Sequence, residues 1–472
     1  MGKDANDRLY TKTEVDRLIA QAVTQATRPL LEKISQLESQ IAKMRKDSSN
    51  SSKPPSGDIV KPKLTNPKGK KKIGGQKGRP RYTRDPFPPD QVDRTYIYEL
   101  EDTPGLDPLD DWRVVQQIEL PQKMFYVTEH RARRYRCVRT GRIITALPPP
   151  EVVKAGLMGS RLSTPACYLK STCHGSYRTV QYFFSEVLGL DLSVGLLAKV
   201  VSKMTAALGD SYHELIAVLP RQPVLGIVET GLRHCGQGHW VWCAHAPGTE
   251  GLTCFAIDPS RGSCVLNEIL GTDYTGIIAC DYFSAYRKYL ADTQGVQMQF
   301  CWAHLIRDVK FMTDLPDKVT RNFGHRLLEP IRKMFELIHR RGQINASRYQ
   351  RALKKHQDII IGLIRRAPDR HEPRKLKKRF RDHGRSYFTF MDHRGVPGLE
   401  PTNNATERQI RFVVLDRKVT QGTKGLIGNL WCERIWSTIA TCRQRGKPIF
   451  RFLLDTFNDH IRGKLTPSLI YV

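Results

Sequence analysis

Two carboxylates stand where metal-assisted phosphodiester chemistry could be done. Asp281 closes the apolar run Gly276-Ile277-Ile278-Ala279-Cys280. That run reads as a fully buried strand, and ligands of open α/β sheets gather at the carboxyl ends of strands. A carboxylate there can hold a divalent cation. Two magnesium ions roughly 3.5–4 Å apart can activate a water or hydroxyl and stabilise the leaving oxygen of a phosphodiester. Magnesium takes hard oxygen ligands, so carboxylates from separate elements must converge on it. The structural alternative is that Asp281 caps a helix around Ser284-Ala285-Tyr286. Glu407 follows Pro401-Thr402-Asn403-Asn404-Ala405-Thr406, a turn opening a helix at about Asn404. It reads either as a further carboxylate delivered by that helix or as the acidic member of a capping box. Arg408, Arg411, Arg417 and Lys418 crowd around it, and clustered cations suit phosphate better than packing. Cys301-Trp302-Ala303-His304 lacks the second ligand pair of a zinc site. It reads as the end of a strand and the start of a helix near the active site.

The elements that must position these residues occupy 221–425. Val224–Val228, Trp240–Ala244 and Thr253–Ile257 are three consecutive strands, followed by helix, the 276–280 strand, helix, and a strand from Val296 to Cys301. That order is the order of a ribonuclease-H-like mixed sheet flanked by helices, an α/β class. A helical insertion covers about 305–395. Helices follow at 402–415 and 429–443, and residues 426–472 form a C-terminal helical segment.

The N-terminal half has a different character. Residues 13–46 read as a helix whose Val23, Leu30, Ile34, Leu37, Ile41 and Met44 make a coiled-coil seam. The expected consequence is a homo-oligomer; the alternative is an amphipathic helix packed on its own domain. Residues 47–90 form a low-complexity linker with an uninterrupted basic tract that includes Lys70, Lys71, Lys72, Lys77, Arg79, Arg81 and Arg84. Such a tract can follow a phosphate backbone or a minor groove. Residues 91–150 read as a small β-rich module, with Tyr96–Tyr98 and Met124–Val127 as strand candidates. Arg131, Arg133, Arg134, Arg136 and Arg139 alternate with Tyr135 and Cys137, so one strand would show a basic face, compatible with DNA contact or with solvent. Residues 151–220 read as helical, with Ser193 as an N-cap, and suit a helix-turn-helix-like DNA reader.

Charge supports the same partner. The chain has 472 residues and a formal charge of +29. An excess that large is costly in self-repulsion unless a polyanion offsets it, and nucleic acid is the expected one. Ribosome binding or simple solubility is the alternative. No apolar run approaches a membrane span, and no signal-peptide pattern opens the chain. The expected location is the cytoplasm, of bacterial type and nucleoid-associated. The eleven cysteines contain no Cys-x-x-Cys and read as reduced core thiols.

Several blocks together resemble the insertion-sequence-66 family of transposases. They are Lys46-Asp47-Ser48-Ser49-Asn50-Ser51-Ser52-Lys53-Pro54-Pro55-Ser56, Gly74-Gly75-Gln76-Lys77-Gly78, Cys280-Asp281-Tyr282-Phe283-Ser284-Ala285-Tyr286, Cys301-Trp302-Ala303-His304-Leu305 and Asn403-Asn404-Ala405-Thr406-Glu407-Arg408. The resemblance implies cutting and joining of double-stranded DNA, at element ends and target, by an Asp-Asp-Glu triad. It implies two divalent metals, magnesium or manganese, with Asp281 and Glu407 as ligands. Two departures matter. The family's first aspartate lies in an Asp-Glu-Thr block; here the block is Ile227-Val228-Glu229-Thr230-Gly231, and valine cannot bind a metal. Glu229 is the candidate surrogate, but successive strand residues point to opposite faces. It could serve only if the strand ends early or bulges. The family's zinc-finger-like module, expected near 91–147, here has Cys137 alone with His130 nearby, so no structural zinc is expected. The alternative to an active enzyme is a catalytically inactive, transposase-derived DNA-binding protein.

Overall fold

The computed structural model describes residues 11–44, 85–99, 113–393 and 395–471. The chain divides into two units, one of residues 63–133 and one of residues 1–62 with 134–472. The basic tract, including Lys70, Lys71, Lys72, Lys77, Arg79, Arg81 and Arg84, lies outside the described residues.

In the smaller unit the described residues form no strand. Tyr96–Tyr98 and Met124–Val127, expected as strands, are irregular, with Tyr98, Tyr126 and Val127 largely exposed. Alternation favours a strand only when a partner face is there to bury it. One contact in this unit spans 29 residues: the Gln116 amide accepts from Phe87 N–H (2.6 Å) and donates to Phe87 O (2.9 Å).

In the larger unit, α1 spans Lys12–Met44. Val23, Leu30, Ile34, Leu37 and Ile41 all lie exposed on it. Among the described residues of the 91–150 region, the strands are those of a short exposed hairpin, β1 (Arg134–Arg136) against β2 (Ile143–Thr145). Five helices follow: α2 (Pro150–Ala155), α3 (Ser160–Ser171), α4 (Tyr177–Leu188), α5 (Val194–Ala207) and α6 (Gly209–Val218). Ser193 does cap α5, its hydroxyl accepting from Leu196 N–H at 3.1 Å. Leu197, Val200 and Val201 are buried behind that cap.

The core is a five-stranded mixed sheet. Its strands are β3 (Val224–His234), β4 (Gln237–Ala246), β5 (Leu252–Asp258), β6 (Ile277–Cys280) and β7 (Gln297–Phe300). Their order is β5-β4-β3-β6-β7, with β3–β4 and β4–β5 antiparallel and β3–β6 and β6–β7 parallel. β3 is longer than its apolar run because Thr230–His234 continues into a two-residue hairpin. Cys235 and Gly236 both take positive φ there, the geometry that matches strand twist. Helices α7 (Cys264–Leu270) and α8 (Ser284–Asp292) connect the later strands.

Beyond β7 come α9 (Trp302–Thr313), α10 (Lys318–His339), α11 (Ala346–Arg365), α12 (His371–His383) and α13 (Thr389–Asp392). The chain then returns through α14 (Asn404–Thr420), α15 (Leu426–Gln444) and α16 (Ile449–Arg462). Among the described residues no helix is long and apolar enough to cross a membrane.

Both sheet edges are closed by side chains. On β5, the outward N–H groups of Thr253, Phe255 and Ile257 donate to Thr441 Oγ1 (3.1 Å), Ser437 Oγ (2.9 Å) and Glu433 Oε1 (2.7 Å), one helical turn apart on α15. On β7, Met298 O accepts from Thr389 Oγ1 (2.6 Å), and Phe300 O accepts from Gln299 Nε2 (2.9 Å). An open edge would leave a row of buried polar groups unpaired.

The contact that fixes the site is between α14 and β3. A Cβ added at Gly226 would overlap Thr406 Oγ1 and lie 2.7 Å from Asn403 Oδ1. Gly226→Ala is expected to destabilise the fold by about 1–3 kcal/mol through overpacking, measured by denaturant unfolding. A change within roughly 0.5 kcal/mol, the range of neutral surface substitutions, would show that α14 is not seated this way.

Candidate active site

The face of the sheet that carries α14 is set by strand alternation. Gly226 and Thr230 of β3 both meet that helix: Gly226 through the close approach above, Thr230 by accepting from Arg417 Nη1 at 2.9 Å. Val228 lies between them on the same face. The parallel register pairs Gly226 with Ala279. Two residues further along each strand stand Val228 and Asp281. Hydrocarbon therefore occupies the strand position beside Asp281 and under α14.

Glu229 points the other way. Strand β3 neither ends early nor bulges here, because Val228, Glu229 and Thr230 pair in unbroken register with Cys243, Trp242 and Val241. The Glu229 carboxylate is 3% exposed and fully engaged. Its Oε1 accepts from Arg261 Nε (3.0 Å) and Nη2 (2.7 Å), and its Oε2 accepts from the Tyr286 hydroxyl of α8. The Arg261 guanidinium sits over the Trp240 and Phe283 rings, 4.3 and 4.0 Å from their centroids. The structure thus places the candidate surrogate in an Arg–Glu–Tyr cluster on the α8 side of the sheet.

Asp281 follows β6 directly. One of its oxygens accepts from Phe283 N–H at 2.9 Å, which fixes the loop entering α8. The capping alternative is not met: Phe283 is the N-cap residue of α8, which starts without a side-chain cap. Burial and then the Glu229 charge push the Asp281 carboxyl up to about 6, against opposing contributions from the Phe283 N–H, Arg261 and Arg379.

Glu407 comes from the first turn of α14. The turn before it is clamped at three points. Trp302 N–H donates to Pro401 O (3.0 Å), Asn403 N–H to Cys301 Sγ (3.2 Å), and Asn403 Nδ2 to Ile227 O (3.0 Å). Asn403 is therefore the N-cap residue, but its side chain reaches β3 instead of the helix, and the capping box is not formed. The Glu407 carboxyl is raised, first by burial and then by Asp281 and Glu229, with Arg307 opposing. His304 Nε2 lies 3.9 Å from Glu407 Oε1. Burial, with Arg307 and Arg379 beside it, holds His304 down at about 4, so the pair is a neutral imidazole against a carboxylate, not an ion pair. The other ring nitrogen, Nδ1, is buried without a hydrogen-bond partner.

Among the four α14 cations, Arg408, Arg411 and Lys418 are exposed, whereas Arg417 is half-buried and bonded to Thr230 and Gly231 O. Three residues not expected from the sequence also belong here. Arg379 of α12 donates to Asp308 at 3.1 Å and lies 4.2 Å from the Tyr282 ring centroid. Arg261 and Tyr286 hold Glu229. Each is far in sequence from the carboxylate it serves, so no local pattern marks it.

This donor set does not fit a pair of divalent ions. Asp281 and Glu407 lie close enough for their charges to oppose each other, Val228 offers only hydrocarbon beside Asp281, and His304 stands 3.9 Å from Glu407. Among the described residues no group of three or more His, Cys, Asp or Glu side chains is arranged to hold a metal. What the arrangement does show is a pair of largely buried carboxylates whose charges oppose each other and are only partly offset by Arg261, Arg379 and Arg307. With a folded pKa near 6 against an ordinary 3.8, Asp281 is protonated more readily in the folded than in the unfolded chain. Its ionisation therefore costs stability progressively from about pH 4 to 6, with the full cost above pH 6. Asp281→Asn, which keeps an acceptor for Phe283 N–H, is expected to raise the thermal midpoint at pH 7.5 and to lose that advantage by pH 4. Equal effects at both pH values would contradict the burial of an ionised carboxylate.

A comparison with protein families places this geometry. The model described as "Transposase IS66 family" matches residues 155–428, more than half of the chain. A second, described as a family of unknown function (DUF6444), matches residues 5–85, which include α1 and the basic tract. No curated protein matches. The matched region runs from the helices before the sheet through β3, Asp281 and the Glu407 helix, and the chain belongs to the IS66 family of transposases.

Proposed function

We propose that this chain is a transposase-family DNA-binding protein whose phosphodiester-cleaving centre lacks one carboxylate. The observation that carries this is the position of Val228: on the α14 face, beside Asp281, where the family places its first aspartate. The strand order supports a ribonuclease-H-like reading of the sheet, three antiparallel strands followed by two added in parallel. On this reading Asp281 and Glu407 are the two remaining metal ligands, for magnesium or manganese. A two-metal centre needs oxygen donors from separate elements, and removing one takes away both metal affinity and transition-state stabilisation. Recruiting Glu229 instead would require it to leave Arg261 and Tyr286 and cross the sheet, so the inactive reading is favoured over an active enzyme.

DNA binding rests on different residues. Arg408, Arg411 and Lys418 are exposed along α14, with no ion-pair partner among the described residues. The basic tract with Lys70, Lys71, Lys72, Lys77, Arg79, Arg81 and Arg84 adds sequence-independent affinity. The exposed apolar seam of α1 pairs protomers, which would allow two DNA ends to meet.

The test is cleavage of labelled duplex carrying element ends, with magnesium and with manganese. The natural chain is expected to bind without cutting. Val228→Asp is expected to gain cleavage by at least two orders of magnitude over the natural chain, and Val228→Asp/Asp281→Ala to lose it. Cleavage by the natural chain that depends on Asp281 would overturn the reading. Deletion of 12–44 is expected to convert a dimer to a monomer in sedimentation; a dimer that survives the deletion would reject the seam.

A further inference from the structure

Helices α10, α11 and α12 lie in the chain between Asp281 and Glu407. From Ala346 to His383 there are thirteen Lys and Arg against four carboxylates, an excess of nine charges. Each carboxylate has a neighbouring cation: Asp358 with Lys354 (3.2 Å), Asp369 with Arg374 (3.3 Å), Glu372 with Lys375 (3.9 Å) and Asp382 with Arg381 (2.8 Å). Arg370 and Arg379 pair with Asp317 and Asp308 outside the segment. Arg351, Lys355 and Arg366 are exposed and have no ion-pair partner among the described residues. Together with Lys354, Asp358 and Ile359 they line an open groove of about 650 Å³ along α11. The opposite face of the helix buries Leu353, Ile360 and Ile364, so the cations are held outward by packing. At 20 residues, α11 is about 30 Å long.

We propose that this outward face of α11 is a second phosphate-binding surface, which holds the backbone of duplex DNA beside the site. It rests on the DNA-binding reading above. An extended row of fixed, unpaired cations on a rigid helix fits an extended polyanion, and duplex DNA presents a charge every 1.7 Å of axis. Helix α12 packs on α11 and reaches Tyr282, next to Asp281, through Arg379. The insertion that carries this surface thus also abuts the loop that holds Asp281. The surface adds affinity without reading sequence, because its contacts are to phosphates.

The experiment uses the full chain and a mixed-sequence duplex, with affinity measured across a salt series. Arg351→Ala/Lys355→Ala/Arg366→Ala is compared with Arg408→Ala/Arg411→Ala/Lys418→Ala and with the natural chain. Each lost phosphate contact lowers the slope of log affinity against log salt by about 0.9, so the α11 variant is expected to lose about 2–3 in slope. Its circular dichroism and thermal midpoint are expected to match those of the natural chain. An unchanged slope in the folded α11 variant, with a reduced slope in the α14 variant, overturns this surface and leaves the DNA-binding reading standing. A natural chain that does not bind duplex overturns both. Loss of single-stranded RNA binding with duplex binding intact overturns the proposal in favour of RNA. If the triple variant misfolds, the single variants carry the test, each with an expected slope loss near 0.9.

Discussion

Everything about the site depends on how closely α14 can approach β3, and that approach is set by the missing side chain at Gly226. Thr406 Oγ1 and Asn403 Oδ1 occupy the space a Cβ would need. Asn403 then donates to Ile227 O, so the N-terminus of α14 is pinned to the central strand one residue before Val228. Glu407 is three residues further into the helix and is carried to the Asp281 side of the sheet. A metal site built from one strand end and one helix needs this kind of rigid seating, because ligand positions must hold within a fraction of an ångström.

The same helix is tied to the rest of the larger unit by a second buried device. Asp416, on α14, accepts from Trp436 Nε1 of α15 (3.1 Å) and meets His174 Nδ1 in the loop between α3 and α4 (3.1 Å). Helix α15 in turn closes the β5 edge with Glu433, Ser437 and Thr441. The helices before and after the sheet thus converge on the element that delivers Glu407. The Arg261–Glu229–Tyr286 cluster braces the strand from the opposite face, and the Glu229 charge still raises the Asp281 and Glu407 carboxyls.

The sequence made much of this legible where the signal was local. Asp281 could be placed at a strand end because the apolar run stops there. Glu407 could be placed in a first helical turn because Pro401 and Asn403 mark the turn. The opposite facing of Val228 and Glu229 follows from the two-residue period of a strand. What could not be read was long-range. Arg261 reaches Glu229 across 32 residues, and Arg379 reaches Tyr282 from the far side of the insertion. The extension of β3 past its apolar run depends on a hairpin turn with positive φ at Cys235, a residue type that does not advertise it. The expected strands at Tyr96–Tyr98 and Met124–Val127 failed for the converse reason, since alternation alone says nothing about whether a partner strand exists.

The central claim is that one side chain, Val228, separates this centre from a complete metal site. Manganese titration followed by electron paramagnetic resonance tests it without requiring turnover. Weak binding by the natural chain is expected, with binding at least tenfold tighter by Val228→Asp and loss of that gain in Val228→Asp/Glu407→Gln. Tight binding by the natural chain that Glu407→Gln abolishes would contradict it, because Asp281 and Glu407 would then suffice without a third carboxylate.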